Sequence, residues 1–232
     1  MPRWKQSMVI GARDVAPILL GIVPFGLVAG AAVIHAGMGL AEAIGMSLLV
    51  NAGASQIVAT TLFGEGAPLA VVIGTALVVN ARMFIYSTSI APVLSGASWR
   101  LRPLLGHMLV DQNYATTMTR GRFRDGVNVV PYYVGCWLAL AAVWQLSSVA
   151  GALLGSFIPA SWQLDFAVPL VFLALLAPAL KDRLSVSVAV VTGVAAAVLV
   201  PVMPMQTGLL VSMLIGMIYG AVFHGPESEE ES

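Results

Sequence analysis

Apolar residues run along this chain in long blocks separated by short polar intervals, a pattern that predicts membrane-crossing helices. The blocks extend from Val15 to His35, Ala41 to Phe63, Ala67 to Pro92, Val127 to about Gly155, Phe166 to Leu180, Val186 to Met203 and Gly208 to Phe223. Each is near the roughly 20 residues that carry a helix across about 30 Å of hydrocarbon, although Phe166 to Leu180 is short and Val127 to Gly155 is long enough to tilt. The polar interval from Gly96 to Gly126 divides the blocks three and four. The expected fold is all-α, a polytopic transmembrane helix bundle of about seven to eight membrane segments that include broken or re-entrant helices. Residues 1–14 read as a cytoplasmic N-terminal segment and 15–223 as one transmembrane domain. That domain divides into a first half (15–92), a polar, partly inserted interval (93–126) and a second half (127–223). Residues 224–232 read as an acidic disordered tail.

Charge complicates the count. Basic residues favour the cytoplasmic side, so Arg120, Arg122 and Arg124 mark one cytoplasmic loop, and Lys181 with Arg183 another, two crossings later. Arg3, Lys5 and Arg13 place the N-terminus on the same side, yet three apolar blocks separate them from Arg120. An odd number of crossings cannot return the chain to its starting side. Three repairs exist: Pro103 to Thr119 crosses as a short polar helix, an early block dips without crossing, or the N-terminus is external. The favoured expectation is a broken or partly inserted element that keeps the N-terminus cytoplasmic. Irregular backbone at that depth is tolerated only where protein or a wet cavity satisfies it, so such an element points to a site.

Composition agrees with the pattern: 59% of residues are hydrophobic, 9% charged, and the mean hydropathy is +0.91, against about 25% charged in a soluble domain. The single cysteine, Cys136, rules out an intrachain disulfide, and no Cys/His ligand spacing is present. No metal or other cofactor is expected, and no nucleic-acid partner; the solvent is the lipid bilayer.

Polar residues inside the blocks carry the chemistry. Arg82 stands near the middle of its block, where a charge persists if it pairs or lines a water-filled path; snorkelling or an interhelical ion pair is the structural alternative. Asp111 is its expected partner, because it lies in the interval that the crossing count places in or near the membrane. Asp165, beside Trp162, reads as an interfacial anchor. Pro24, between Gly21 and Gly26, is expected to kink or unwind the first helix and bare carbonyls. Taken as one helix, Ala43, Ser47, Asn51, Ser55 and Ala59 form a small, polar stripe beside Gln56 and Thr60. The Pro24 kink and this stripe are expected to face each other. Gly26 with Gly30, Gly151 with Gly155, and Gly208, Ser212, Gly216 and Gly220 have the spacing of helix-packing ridges, the last a candidate for docking another helix of this chain or of another subunit.

The order and spacing of Pro24-Phe25-Gly26, Ala52-Gly53-Ala54-Ser55-Gln56, Asn80-Ala81-Arg82 with Tyr86-Ser87, and Asp111 resemble the AzlC family. That family supplies the large subunit of two-component branched-chain amino acid exporters in prokaryotic inner membranes. The resemblance implies export of neutral apolar amino acids such as valine, leucine and isoleucine, in some members methionine, with a small AzlD-like membrane subunit as partner. The chain departs from the family at Gln112, where an acidic residue often stands, and at Met83, where histidine is frequent. A zwitterionic substrate needs donors for its carboxylate and acceptors for its ammonium. The candidate substrate-binding residues are Pro24, Phe25, Gly26, Asn51, Gly53, Ser55, Gln56, Asn80, Arg82 and Tyr86, with Arg82 and Asp111 as the coupling ion pair.

An enzyme is not expected. The enzymatic alternative is an intramembrane serine protease using Ser55 in Gly53-Ala54-Ser55-Gln56 with His107 or His224, which requires a serine within hydrogen-bond reach of a histidine. A channel or structural membrane subunit is the other alternative. An ATP-driven pump is not expected, because the chain has no phosphate loop and any ATP would have to come from another chain.

Overall fold

The structure is a computed structural model that describes residues 2–120, 126–155, 180, 182–203 and 207–223. The expected crossing Phe166 to Leu180, together with Trp162, Asp165, Arg122, Arg124, Lys181, His224 and the acidic tail, lies outside them, save Leu180 itself. The described residues form helices and turns without a strand, in two compact units, Met1–Val171 and Phe172–Ser232.

The first unit holds nine helices among its described residues: α1 (Arg3–Asp14), α2 (Ala16–His35), α3 (Leu40–Leu49), α4 (Gly53–Gly64), α5 (Leu69–Val79), α6 (Arg82–Ile90), α7 (Arg102–His107), α8 (Asp111–Arg120) and α9 (Val129–Gly155). Three stretches are long and apolar enough to cross a membrane: α2, the α5–α6 run Leu69–Ile90, and α9.

The α1–α2 rod and α9 lie side by side with their numbers rising together. Gly11 meets Tyr132, Gly135 meets Met8, Gly26 meets Ser147, and Gly155 meets Ala31. A Cβ on Gly30 would sit 1.9 Å from the Ser148 carbonyl oxygen, and one on Gly151 2.0 Å from that of Leu27. Only hydrogen fits there, and the absent side chains let the backbones touch, which is what drives helix association when lipid removes the hydrophobic effect. The two rods are therefore parallel. Asp14, the last residue of α1, accepts from Arg120 and, at 2.9 Å, from the Tyr132 hydroxyl, so the ends of α1 and α8 and the start of α9 share one end of the unit.

Between the parallel rods the chain makes two hairpins and one broken helix. The block Ala41 to Phe63 is not one helix, as expected, but two half-length ones. At the turn, Asn51 has φ +46°, the one non-glycine positive value among the described residues, in a conformation that asparagine adopts more readily than most. Across the fold, Ser47 Oγ lies 3.2 Å from the Gln56 amide nitrogen, although nine residues of unbroken helix would separate them by about 13 Å. Gly64, ending α4, packs on Ala36 just past α2, so the hairpin enters and leaves at the Ala36 end. Its tip sits at mid-α2, where Gly53 meets Phe25 and Trp144. The polar stripe survives the break because each half keeps its own four-residue period; Ser47, Ser55, Gln56 and Thr60 are buried.

α5 runs back alongside α4, with Val72 packed near Ala59 and Leu62 and Asn80 bonded to Ser55. The ladder then tightens to three-residue bonds from Ala81 to Val78, Met83 to Asn80 and Phe84 to Ala81, and α6 continues to Ile90, which packs among Val129, Val130 and Tyr133 at the Asp14 end. From there α7 climbs: Tyr133 donates to the Leu105 carbonyl, His107 abuts Trp137, and Val110 packs near Ile22 and Leu140. α8 descends again to Arg120. Pro103 to Thr119 is thus a second hairpin, entering and leaving at the Asp14 end, and not a crossing.

The second unit contains α10 (Arg183–Leu199) and α11 (Thr207–Phe223). Asp182 caps α10 by accepting from the Ser185 amide at 2.6 Å. The α11 ridge docks on α10: Gly208 meets Leu199, Gly216 meets Thr192, and Gly220 meets Val188, with Ser212 buried between.

Candidate functional site

Both hairpin tips and the break in the middle helix arrive at the same place. The Asn51 amide donates to the His107 carbonyl, tip to tip. Ser55 donates to the Asn80 side-chain oxygen at 2.5 Å, joining the first tip to the break, and Arg82 pairs with Asp111 at 2.9 Å, joining the break to the second tip. These three contacts close a ring through elements 25 to 56 residues apart in sequence.

The backbone polarises the ring. α4, α6 and α8 all begin there, and the first amides of a helix lack intrahelical acceptors and carry about half a positive charge. α3, α5 and α7 end there, presenting carbonyls and the opposite partial charge. The site therefore offers donors and acceptors side by side, the pattern by which discontinuous membrane helices hold charged groups.

Side chains add to it. Arg82 and Asp111 are 27% and 35% exposed, so the pair is neither dry nor free in solvent. Only one oxygen of Asp111 is engaged; its Oδ1 and the Arg82 Nε are buried without a hydrogen-bond partner. On the α6–α8 side the Tyr86 and Tyr114 rings stack at 4.4 Å, and the Tyr114 hydroxyl lies 2.9 Å from Ser89 Oγ. On the α2–α9 side Phe25 packs edge-on to Trp144 at 5.4 Å, closing over Gly53.

Not every candidate residue joins the ring. Pro24 lies inside an unbroken α2, on its exposed side. Its side chain points out of the bundle, and the helix does not unwind there, so Pro24 itself takes no part in the ring. Gly26 is taken up by the contact with Ser147; of that motif only Phe25 reaches the tip. Gln56 turns inward to Ser47, at the hairpin's heart. Ser55 is engaged by Asn80 and the His107 ring by Trp137, which is not the serine–histidine contact a protease needs. Sequence reasoning gave His107 no weight as a backbone acceptor, and it passed over Trp144 and Tyr114; their signal, an aromatic or histidine beside a polar break, is visible only once the hairpins are folded.

Comparison with known proteins places the chain. The AzlC protein family model matches residues 17–158, which hold all the elements of the ring. A membrane protein of Helicobacter pylori (strain 26695) is 32% identical over 159 residues, 68% of this chain and 69% of that protein. Inner membrane protein YgaZ of Escherichia coli (strain K12) is 23% identical over 228 residues, 94% of this chain and 89% of its own length. No solved structure matches. The chain is a membrane protein and belongs to the AzlC family.

Proposed function

We propose that this chain is the large subunit of an exporter of branched-chain or similar neutral apolar amino acids, valine, leucine and isoleucine and by extension methionine, and that it works with a small AzlD-like membrane subunit. The observation that carries the reading is the Arg82–Asp111 pair where three helices begin and three end. A zwitterion matches that arrangement by dividing the pair: its carboxylate goes to the guanidinium and the freed amides, its ammonium to the carboxylate and the carbonyls. Phe25 and Trp144 supply apolar surface for the aliphatic end, a kind of contact that separates side chains differing by one methylene by only about 1–3 kcal/mol, so overlapping selectivity follows.

The Asp14 end is assigned to the cytoplasm, since Arg3, Lys5, Arg13, Arg100, Arg102 and Arg120 belong to segments at that end. Among the described residues the crossings are then α2, α5–α6, α9, α10 and α11. With the two half-inserted hairpins they make seven membrane segments among the described residues, in a prokaryotic inner membrane, the location printed in the name of the Escherichia coli relative.

The test is flux of labelled valine, leucine and methionine in vesicles carrying this chain with and without the product of the neighbouring gene. Saturable exchange that needs both chains and disappears in Arg82→Ala is expected. Non-saturating flux would mean a channel, and no flux of any of the three would overturn the substrate class.

A further inference from the structure

Buried side-chain polar atoms almost always have a hydrogen-bond partner, in protein or in ordered water. Several without a protein partner lie at the seam between α8 and α9: Asn113 Oδ1 and Thr117 Oγ1 on α8 and, on the facing helix α9, Trp137 Nε1. Asp111, two residues before Asn113, stands on the opposite side of α8, toward Arg82 of α6. Asn113 and Thr117 are 0% and 1% exposed. They stand one turn apart on α8, and Arg120 follows on the same face at the next turn. Asn113 gives its amide to the Met108 carbonyl at 3.0 Å and lies against the Tyr133 hydroxyl. Trp137, one turn beyond Tyr133, has its ring against His107. The stripe ends where Asp14 and Tyr132 meet Arg120, about 10 Å from Asn113 along the helix.

The chemistry of these atoms suits one small ligand. The Asn113 oxygen accepts, the Trp137 nitrogen donates, and the Thr117 hydroxyl does both, a mixture that supplies the two to four partners that a buried water uses. We infer that the seam between α8 and α9 holds a file of water reaching from the solution at the Arg120 end to Asn113, near the tip of the second hairpin. The file enters this seam without passing the Asn51–His107 junction, so water reaches Asn113 from one side of the membrane while the hairpin tips stay joined. This does not rest on which solute the protein carries.

Silver ion, close to water in size and reactive toward thiols, tests it in the full chain. In a Cys136→Ser background, Thr117→Cys, Asn113→Cys and the buried apolar control Val33→Cys (0% exposed) are placed in vesicles of known orientation. Modification is read as loss of maleimide labelling after denaturation. Silver added on the Arg120 side is expected to modify Thr117→Cys at least about tenfold faster than Val33→Cys, whereas silver added on the other side modifies it no faster than the control. Adding Thr117→Val to Asn113→Cys removes a hydroxyl from the file and is expected to slow modification from the Arg120 side by about fivefold or more. A rate at Thr117→Cys equal to that at Val33→Cys from the Arg120 side, as a dry seam or a sealed structural water would give, overturns the inference. So does an Asn113→Cys rate unchanged by Thr117→Val.

Discussion

Arg82→Ala leaves the Asp111 carboxylate beside Tyr86 and Tyr114 with no cation against it. Exposed pairs contribute about 0–1 kcal/mol, and breaking a fully buried one costs about 3–5 kcal/mol. The Arg82 and Asp111 side chains are 27% and 35% exposed, which places the pair between those limits, and a coupling energy of about 1–3 kcal/mol is expected. The measurement is a double-mutant cycle on Arg82→Ala, Asp111→Ala and the double variant, with unfolding free energy in mixed micelles as the readout. The double variant should be less destabilised than the sum of the singles, because removing both charges leaves neither stranded. A coupling of 2 kcal/mol is about a thirtyfold change in the unfolding equilibrium. Additive singles, with coupling below about 0.5 kcal/mol, would show that the two charges sit near each other without interacting and would refute the role given to the pair. Transport is expected to fail in all three variants, so the cycle separates stability from function.

Asn51 has two duties that different substitutions separate: Asn51→Gly keeps the left-handed turn and loses the bridge to His107, whereas Asn51→Ala loses both and should unfold more easily by about 1 kcal/mol than Asn51→Gly; equal stabilities would deny the strain. Gly30→Ala is expected to destabilise by about 1–3 kcal/mol through collision with the Ser148 carbonyl, while Gly21→Ala, with nothing within 4 Å of its new methyl, should be neutral or slightly stabilising in thermal unfolding. Gly216→Leu should separate α11 from α10, because even a Cβ there would sit 2.0 Å from Thr192 Oγ1; cysteine cross-linking between the two helices should drop, and Met217→Leu, at a half-exposed position, should leave it intact.

Helical class and the positions of α2 and α9 were legible in the sequence because long apolar blocks leave a membrane chain few choices. Direction was not. Hydropathy records that Ala41 to Phe63 is apolar, and a span and a hairpin of the same length bury similar side chains. The cue was Asn51-Ala52-Gly53, a residue tolerant of left-handed backbone with a glycine two places on, in the middle of a block. Pro24 drew attention by the same logic, yet α2 runs unbroken through it, since an outward-facing proline is tolerated in a membrane helix when neighbours support it. The pairing of Arg82 with Asp111 could be anticipated because stranded charges must find each other at that depth. Asn113, Thr117 and Trp137 could not, because a polar helix face reads as a loop until it is known to be packed against α9.

The junction of Asn51 with the His107 carbonyl ties the two hairpins together. Each hairpin hangs from one end of the unit, and their tips meet near the middle of α2, so the two hairpins are joined tip to tip at that point. Withdrawing the α3–α4 tip uncovers the ring toward the Ala36 end while α7–α8 still blocks the other, and withdrawing α7–α8 does the reverse. For the exporter proposed above, alternation would need no rocking of the glycine-locked rods: two short doors share one threshold, and the same hydrogen bond breaks whichever of them opens.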